Sequence, residues 1–276
     1  MKLAMNSDAI SQDFETAVLL GIEWGIEYFE LKRMYGSRIP DISDNNVKVV
    51  QKVLRDNGVC LSSLAPGLFR IPLDKELIER EAGERFDMTM VLADRLDTRS
   101  VVVFGFVRDD SCTEASAISR IIDIFGPLAE KAEREGITLF LENDRGLWGE
   151  SPESVLKIVS GIDSPAFRLN WDPGNLVGAF PEPAYPDCYE IVREYVGHVH
   201  VKDASATGKG QFEHAMINSG DIDWVGQFES LLRNNYQGFC VIEPHFGNRI
   251  SSSREHIIEA HKALRLAKRR LASTGS

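Results

Sequence analysis

The 276-residue sequence predicts an α/β protein, a (β/α)8 TIM barrel forming a single domain over residues 1–276. Three observations predict it. Eight short apolar runs recur along the chain, amphipathic stretches of helical length separate them, and no Gly/Ser linker or low-complexity segment divides the sequence. Such alternation specifies parallel β-α units. Right-handed crossovers wind these into an open sheet or close them into a barrel, and a count of eight favours closure. No G-x-G-x-x-G follows an early run to support a dinucleotide-binding open sheet.

The first run is KLAMN (2–6). It precedes a helix expected over 11–25, with Ser11 as N-cap and an apolar face of Phe14, Ala17, Val18 and Ile22. IEYFELK (26–32) leads to a helix within 41–58, opened by capping residues and closed by Gly58. VCLSSLA (59–65) and SVVVFGF (100–106) precede longer helices over 74–97 and 115–135. Several runs are nearly continuous in Val, Ile, Leu or Phe, as strands covered on both faces are. ITLFLEN (137–143) precedes 151–161, where Ser151 and Pro152 read as N-cap and first helical position. FRLNWD (167–172) is followed by 175–190, expected as a long loop before a short helix. HVHVKD (198–203) leads through 205–218, a Gly-containing segment expected as a lid carrying Lys209, to a helix over 221–238. FCVIEPH (239–245) precedes the last helix, 254–271, whose basic end suits a helix C-terminus.

Lys and Arg number 31 against 42 Asp and Glu, a formal charge of −11. That field repels phosphate backbones and argues against a nucleic-acid partner. Cys60, Cys112, Cys188 and Cys240 form no C-x-x-C pair, which disfavours a disulfide framework or a cysteine zinc site. They read as buried small hydrophobes in a reducing compartment. MKLAMNSDAI has no extended apolar core of a leader, and no stretch reaches the roughly eighteen apolar residues of a membrane span. The expectation is a cytoplasmic chain with no membrane partner.

Reacting groups of such barrels cluster at the C-terminal ends of the strands. Those ends carry Glu30, Glu142 with Asn143, Asp172, His200 with Lys202 and Asp203, and Glu243 with His245. One such residue can mark only where a strand leaves the core. Four successive units each delivering a carboxylate or imidazole to one rim ask for more. Glu142, Asp172, His200 and Glu243 make an O,O,N,O ligand set suited to one divalent ion, Mn, Mg, Co or Zn, with positions open for substrate and water. A metal-free carboxylate site is the alternative. His198 shares the face of His200, one layer deeper, and reads as a supporting core residue.

LFLEN (139–143), NWDPGN (170–175), HVHVKD (198–203), SGDIDW (219–224) and VIEPH (241–245), in this order, resemble the xylose isomerase-like TIM-barrel superfamily, the sugar phosphate isomerase/epimerase and AP endonuclease family 2 type. The resemblance covers nearly the whole chain. It implies metal binding by Glu142, Asp172, His200 and Glu243, and a small sugar or polyol-derived ketone as substrate. It further implies proton abstraction next to the carbonyl through a metal-stabilised enediolate, with Glu142 and Glu243 as the acid/base pair. The chain is then an isomerase or epimerase of carbohydrate metabolism, and a homo-oligomer is compatible with the family. Where the family's ketose 3-epimerases carry Glu, His and Arg to hold the substrate oxygens, this chain has Trp148, Asn175 and Ala206. That departure brings in inosose-type dehydratases, lyases on the same scaffold, as the competing reading. An endonuclease IV-type enzyme would need several more histidines for its three zinc ions. A catalytically silent sugar-binding barrel is disfavoured by the complete ligand set.

Around that set, Lys202 reads as an electrophile beside the metal or a solvated strand-end lysine. Glu30 either binds sugar hydroxyls or pairs with a basic residue. Trp148 stacks on a sugar face or covers the barrel mouth, and Asn175 occupies a substrate-binding position. His245 orients Glu243, touches substrate, or is a plain rim residue. His214, His256 and His261 have no partner signal and read as surface or helix residues. With no P-loop and no Arg cluster, the sequence leaves phosphorylation of the substrate open.

Overall fold

The computed structural model describes residues 1–245 and 249–274. Every one of the eight apolar runs contributes a barrel strand: β1 Lys2–Asn6, β2 Tyr28–Leu31, β3 Cys60–Leu68, β4 Ser100–Phe104, β5 Thr138–Glu142, β6 Phe167–Trp171, β7 Val196–Val201 and β8 Phe239–Ile242. Sequential strands pair in parallel around a closed ring. β8 returns to β1 with Lys2 opposite Phe239 and Met5 opposite Ile242. Closure leaves no sheet edge and directs all eight strand ends to one mouth.

The intervening segments fold as helices for local reasons legible in the sequence. Ser43 caps Asp44–Asn57 by accepting the Asn46 N–H, and Gly58 ends it in the left-handed conformation. Ser151 and Ser154 form a reciprocal capping box ahead of Pro152–Ile162. The expected cap Ser11 is displaced: Ser7–Ile10 forms its own short turn, and Asp13 caps Phe14–Glu23 by accepting the Thr16 N–H at 2.8 Å. Ser11 instead accepts from the Asp13 N–H at 3.1 Å. The helix expected over 74–97 runs from Lys75 to Arg95 through a wider turn at Glu81–Arg85. There the buried Glu81 carboxylate leaves the helix surface to accept the Phe69 N–H at 3.0 Å and pair with Arg85 at 2.8 Å.

Outward-facing strand residues meet these helices in one continuous core. Phe69, Phe106, Phe125 and Phe167 are fully buried and pack ring on ring, with centroids 4.9–5.8 Å apart. Each ring removed from water contributes about 2–3 kcal/mol. Trp171, on β6, is equally buried and donates its indole N–H to Gln227 of the helix Trp224–Arg233.

The segment expected as a lid carrying Lys209 has regular structure, with Lys209 in its turn. Residues 203–215 make an antiparallel hairpin, Asp203–Gly208 with Gln211–Ala215. A second, smaller hairpin, Arg33–Met34 with Ser37–Arg38, follows β2. Its turn residues Tyr35 and Gly36 both have positive φ, the backbone signature of a tight two-residue hairpin. Cys188 and Cys240 are buried, whereas Cys60 is exposed and Cys112 half-buried, because both lie where the chain surfaces. His256, expected on the surface or on a helix, lies buried on the last helix, Arg249–Thr274, with Nδ1 donating to the Ser252 carbonyl at 2.8 Å. No helix among the described residues is long and apolar enough to cross a membrane.

Candidate metal centre

Four successive strands place one donor each at the barrel mouth. Glu142 is the last residue of β5, Asp172 follows β6, His200 lies on β7, and Glu243 follows β8. Register brings them level: Glu142 stands opposite Asn170, and His200 opposite Val241. The period of two then turns Glu142, Asp172 and His200 inward with their i−2 neighbours. All four side chains are buried, and one ligand atom from each lies within 4.8 Å of the others.

Neighbouring amides fix this arrangement. Asn143 and Asp172 lock reciprocally, the Asn143 Nδ2 donating to the Asp172 carbonyl at 2.8 Å and its Oδ1 accepting the Asp172 N–H at 2.9 Å. Asn170 donates to Glu142 Oε2 at 3.2 Å. Asn175 donates to Glu142 Oε1 at 3.3 Å and accepts from Lys202 at 2.9 Å. Lys202 Nζ also lies 2.5 Å from Asp172 Oδ2 and 3.7 Å from Glu243 Oε2. Lys32 reaches Glu243 Oε1 at 2.8 Å from the other side.

The electrostatics follow from this packing. Burial opposes the charged forms of Glu142 and Glu243. His200 beside Glu142, and Lys32 and Lys202 beside Glu243, outweigh it and hold both carboxyls below their ordinary range. Asp172 is pushed up, by burial first, against the pull of Lys202. Lys202 stays protonated because Asp172, Glu243 and Glu142 overcome its burial. Asp144, next to this cluster, is raised to about 6 by burial and then by Glu142.

The donor set fits a divalent ion. Three carboxylates converge on one imidazole, an arrangement whose mutual repulsion a cation relieves. Asp172 Oδ1 and His200 Nδ1 are buried without a hydrogen-bond partner, and the imidazole, held protonated against its burial by Glu30 and Glu142, would release a proton to take a cation. His200 Nδ1 looks between Glu142 Oε2 at 3.4 Å and Glu243 Oε2 at 3.6 Å, while its Nε2 meets Glu30 Oε2 at 3.2 Å. A carboxylate on the far nitrogen fixes the tautomer that leaves Nδ1 free to ligate.

Other expected site residues are distributed unevenly. Glu30, expected either to bind sugar hydroxyls or to pair with a basic residue, is fully buried beside His200, lines the cavity and accepts from Ser63 Oγ at 2.8 Å. The reason is its place inside β2, level with Asn6 of β1 and Ser63 of β3, rather than beyond the strand. His198 sits deeper still, 3.7 Å from Glu30 and packed against Phe140, its pKa lowered by burial. Trp148 is buried outside the residues lining the cavity. Its loop folds back on β4, the Trp148 N–H donating to the Phe106 carbonyl at 2.9 Å, and this turns the indole into the core. His245 stays half-exposed, 3.3 Å from Glu243 and stacked on His214 with centroids 4.8 Å apart.

Above the donors lies a cavity of about 280 Å³. Beyond the expected residues, Lys32, Arg38, Arg70, Arg145, Phe212 and His214 line it. Lys32 was detectable, two residues after Glu30 and so on the same face of β2. The arginines lie past strand ends, where no period constrains them.

A sequence profile described as xylose isomerase-like TIM barrel matches residues 20–267. The chain belongs to the xylose isomerase-like TIM-barrel family. Family members with named activities include epimerases and dehydratases. An uncharacterised protein of Methanocaldococcus jannaschii is 30% identical over 156 residues, 54% of this chain and 51% of its own length. The inosose dehydratase of Clostridium perfringens is 26% identical over 157 residues, half of each chain. The chain thus spans about half the length of the curated relatives it matches. Among solved structures, a D-tagatose 3-epimerase-like protein superposes with a TM-score of 0.78 at 21% identity, covering 96% of this chain and 98% of its own. The IOLI protein with a bound zinc atom superposes at 0.80 with 16% identity, covering 98% and 99%. A xylose isomerase-like barrel of Mycobacterium smegmatis in complex with magnesium superposes at 0.76 with 18% identity, covering 97% and 96%.

Proposed function

We propose that this chain is a divalent-metal-dependent isomerase or epimerase of a small sugar or polyol-derived ketone, acting by proton abstraction next to a carbonyl. The observation that carries the reading is the convergence of Glu142, Asp172, His200 and Glu243 from four successive strands under one small cavity. These four would hold a divalent ion, which would supply Lewis-acid chemistry to the substrate's carbonyl and hydroxyl oxygens. Glu142 and Glu243 flank the His200 imidazole, Glu243 from the adjacent β8 and Glu142 from β5, two strands away on the other side. One takes the proton from the carbon beside the carbonyl, and the other returns a proton to the opposite face. Lys202, kept charged by Asp172, donates to the oxygen on which negative charge grows. Asn175 holds Lys202 and Glu142 in register. His245 steadies Glu243 at the rim.

The test is wash-out of a substrate C–H proton in D2O, followed by proton NMR across a panel of ketoses with added Mn2+ or Mg2+. Exchange is expected in the parent and a loss of at least about a thousandfold in Glu142→Gln or Glu243→Gln. Full exchange in both variants refutes the assignment. The likeness to inosose dehydratase favours a second reading on the same residues, loss of a β-hydroxyl after the same proton removal. A dehydrated product with new ultraviolet absorbance from an inosose would select it.

A further inference from the structure

On the β2–β3 side of the cavity the fold assembles two arginines that are far apart in sequence. Arg38 ends the small hairpin after β2 and donates Nε–H to the Pro66 carbonyl at 2.7 Å. Its guanidinium lies against the backbone of Gly67, where an added Cβ would fall 2.3 Å from Nη2 and where φ is +79°. Glycine at that position is what lets the guanidinium lie down on the end of β3. Arg70, just past β3, lines the same cavity, its Nη1 held 2.8 Å from Asp144 Oδ2 and its plane 5.2 Å above the Phe104 ring.

Arg38 is oriented but not neutralised. Among the described residues no carboxylate comes within ion-pairing distance of it. Burial, then Arg33 and Arg70, pull its pKa below the ordinary value, and Asp8 compensates only in part. A partly desolvated guanidinium beside a second one is unfavourable until an anion arrives. Its remaining N–H groups form the planar fork that matches two oxygens of one oxyanion.

We propose that Arg38 and Arg70 form an oxyanion subsite, so that the substrate is an acidic sugar derivative. Its carboxylate or phosphate is seated there while its carbonyl end reaches Glu142, Asp172, His200 and Glu243. This rests on the reading given under Proposed function. The two ends lie within one cavity of about 280 Å³, which limits the substrate to a single small molecule.

Two measurements test it. In the first, the Mg2+-loaded 276-residue chain is titrated calorimetrically with inorganic phosphate and, separately, with acetate. At least one anion is expected to bind, with affinity falling about tenfold or more in Arg38→Met and staying within about twofold in Arg33→Met, a neighbour outside the cavity. The preferred anion tells phosphate from carboxylate. Equal affinity of parent and Arg38→Met for both anions, or no binding to the parent, overturns the subsite. In the second, D2O exchange is compared between a neutral ketose and its phosphorylated or carboxylated counterpart. The acidic member is expected to show the higher kcat/KM, with the ratio narrowing about fivefold or more in Arg38→Met. An unchanged ratio counts against the subsite. Arg38-dependent anion binding without any exchange leaves the subsite standing and removes the isomerase reading. Exchange of neutral ketoses with anion binding indifferent to Arg38 does the reverse.

Discussion

Two histidines one residue apart on β7 have divided the labour between them. Both point inward, as their spacing requires, yet they occupy different depths and face different partners. His200 has an imidazole nitrogen free among carboxylates, whereas His198 is wedged among Ser63, Glu30 and Phe140. His200→Ala is therefore expected to lower affinity for Mn2+ or Zn2+ by at least about a hundredfold while the protein still folds. His198→Ala is expected to keep metal binding near the parent's and to lose about 2–4 kcal/mol of stability from the cavity it opens. Metal titration by calorimetry and denaturant unfolding on both variants separate the two, and equal metal loss in both would sink the division. At this scale the four donors and Lys202 were legible, because each extends an apolar strand at the end that faces the mouth. The burial of Glu30 was not, since period two gives the face of a side chain but not its depth. Arg38 and Arg70 were invisible because their meeting depends on how two connections fold.

The hairpin that follows β7 shows how an element is held by one carboxylate. Asp203 accepts backbone N–H groups from Ala204 at 2.9 Å, Asn218 at 3.0 Å and Gly220 at 3.2 Å. Burial raises its pKa, and these amides act against that rise. The SGD turn is thus stitched to the start of the hairpin, which carries Phe212 and His214 to the cavity. Gly220 is required by the closeness of this stitch, because a Cβ there would fall 2.2 Å from Asp203 Oδ1 and 2.5 Å from the Ala204 carbonyl. Gly220→Ala is expected to destabilise the protein by about 1–3 kcal/mol. It should also speed amide hydrogen exchange selectively in 203–222. Uniform exchange across the chain, or parental stability, would contradict the role. The sequence showed Asp203 only as one more acidic residue at a strand end. Its use as a structural acceptor depends on a turn fifteen residues later, beyond the reach of local periodicity.

The last helix packs back against the start of the barrel. Arg249–Thr274 returns to the start of the chain, where Ser253 Oγ donates to the Ala9 carbonyl at 3.0 Å and Ile257, Ala260 and Ala263 are buried. The eight strands and most helices were readable because alternating apolar runs and caps are local signals. The packing of this helix was not, and the buried His256 within it illustrates the difference. Its Nδ1–H donates to the Ser252 carbonyl, and burial is the largest influence on it, lowering its pKa below the ordinary histidine value of about 6.5. The unfolded chain accepts a proton at that residue before the folded one does. Stability from His256 is therefore complete above about pH 6.5 and is lost as pH falls below it, at no more than about 1.4 kcal/mol per pH unit. In His256→Gln that contribution is absent at every pH. The parent should accordingly lose stability more steeply than the variant between pH 6.5 and 5, with the two curves running parallel from pH 7 to 8. Urea unfolding midpoints across that range measure the difference, and parallel curves throughout would show that His256 takes up its proton equally in both states.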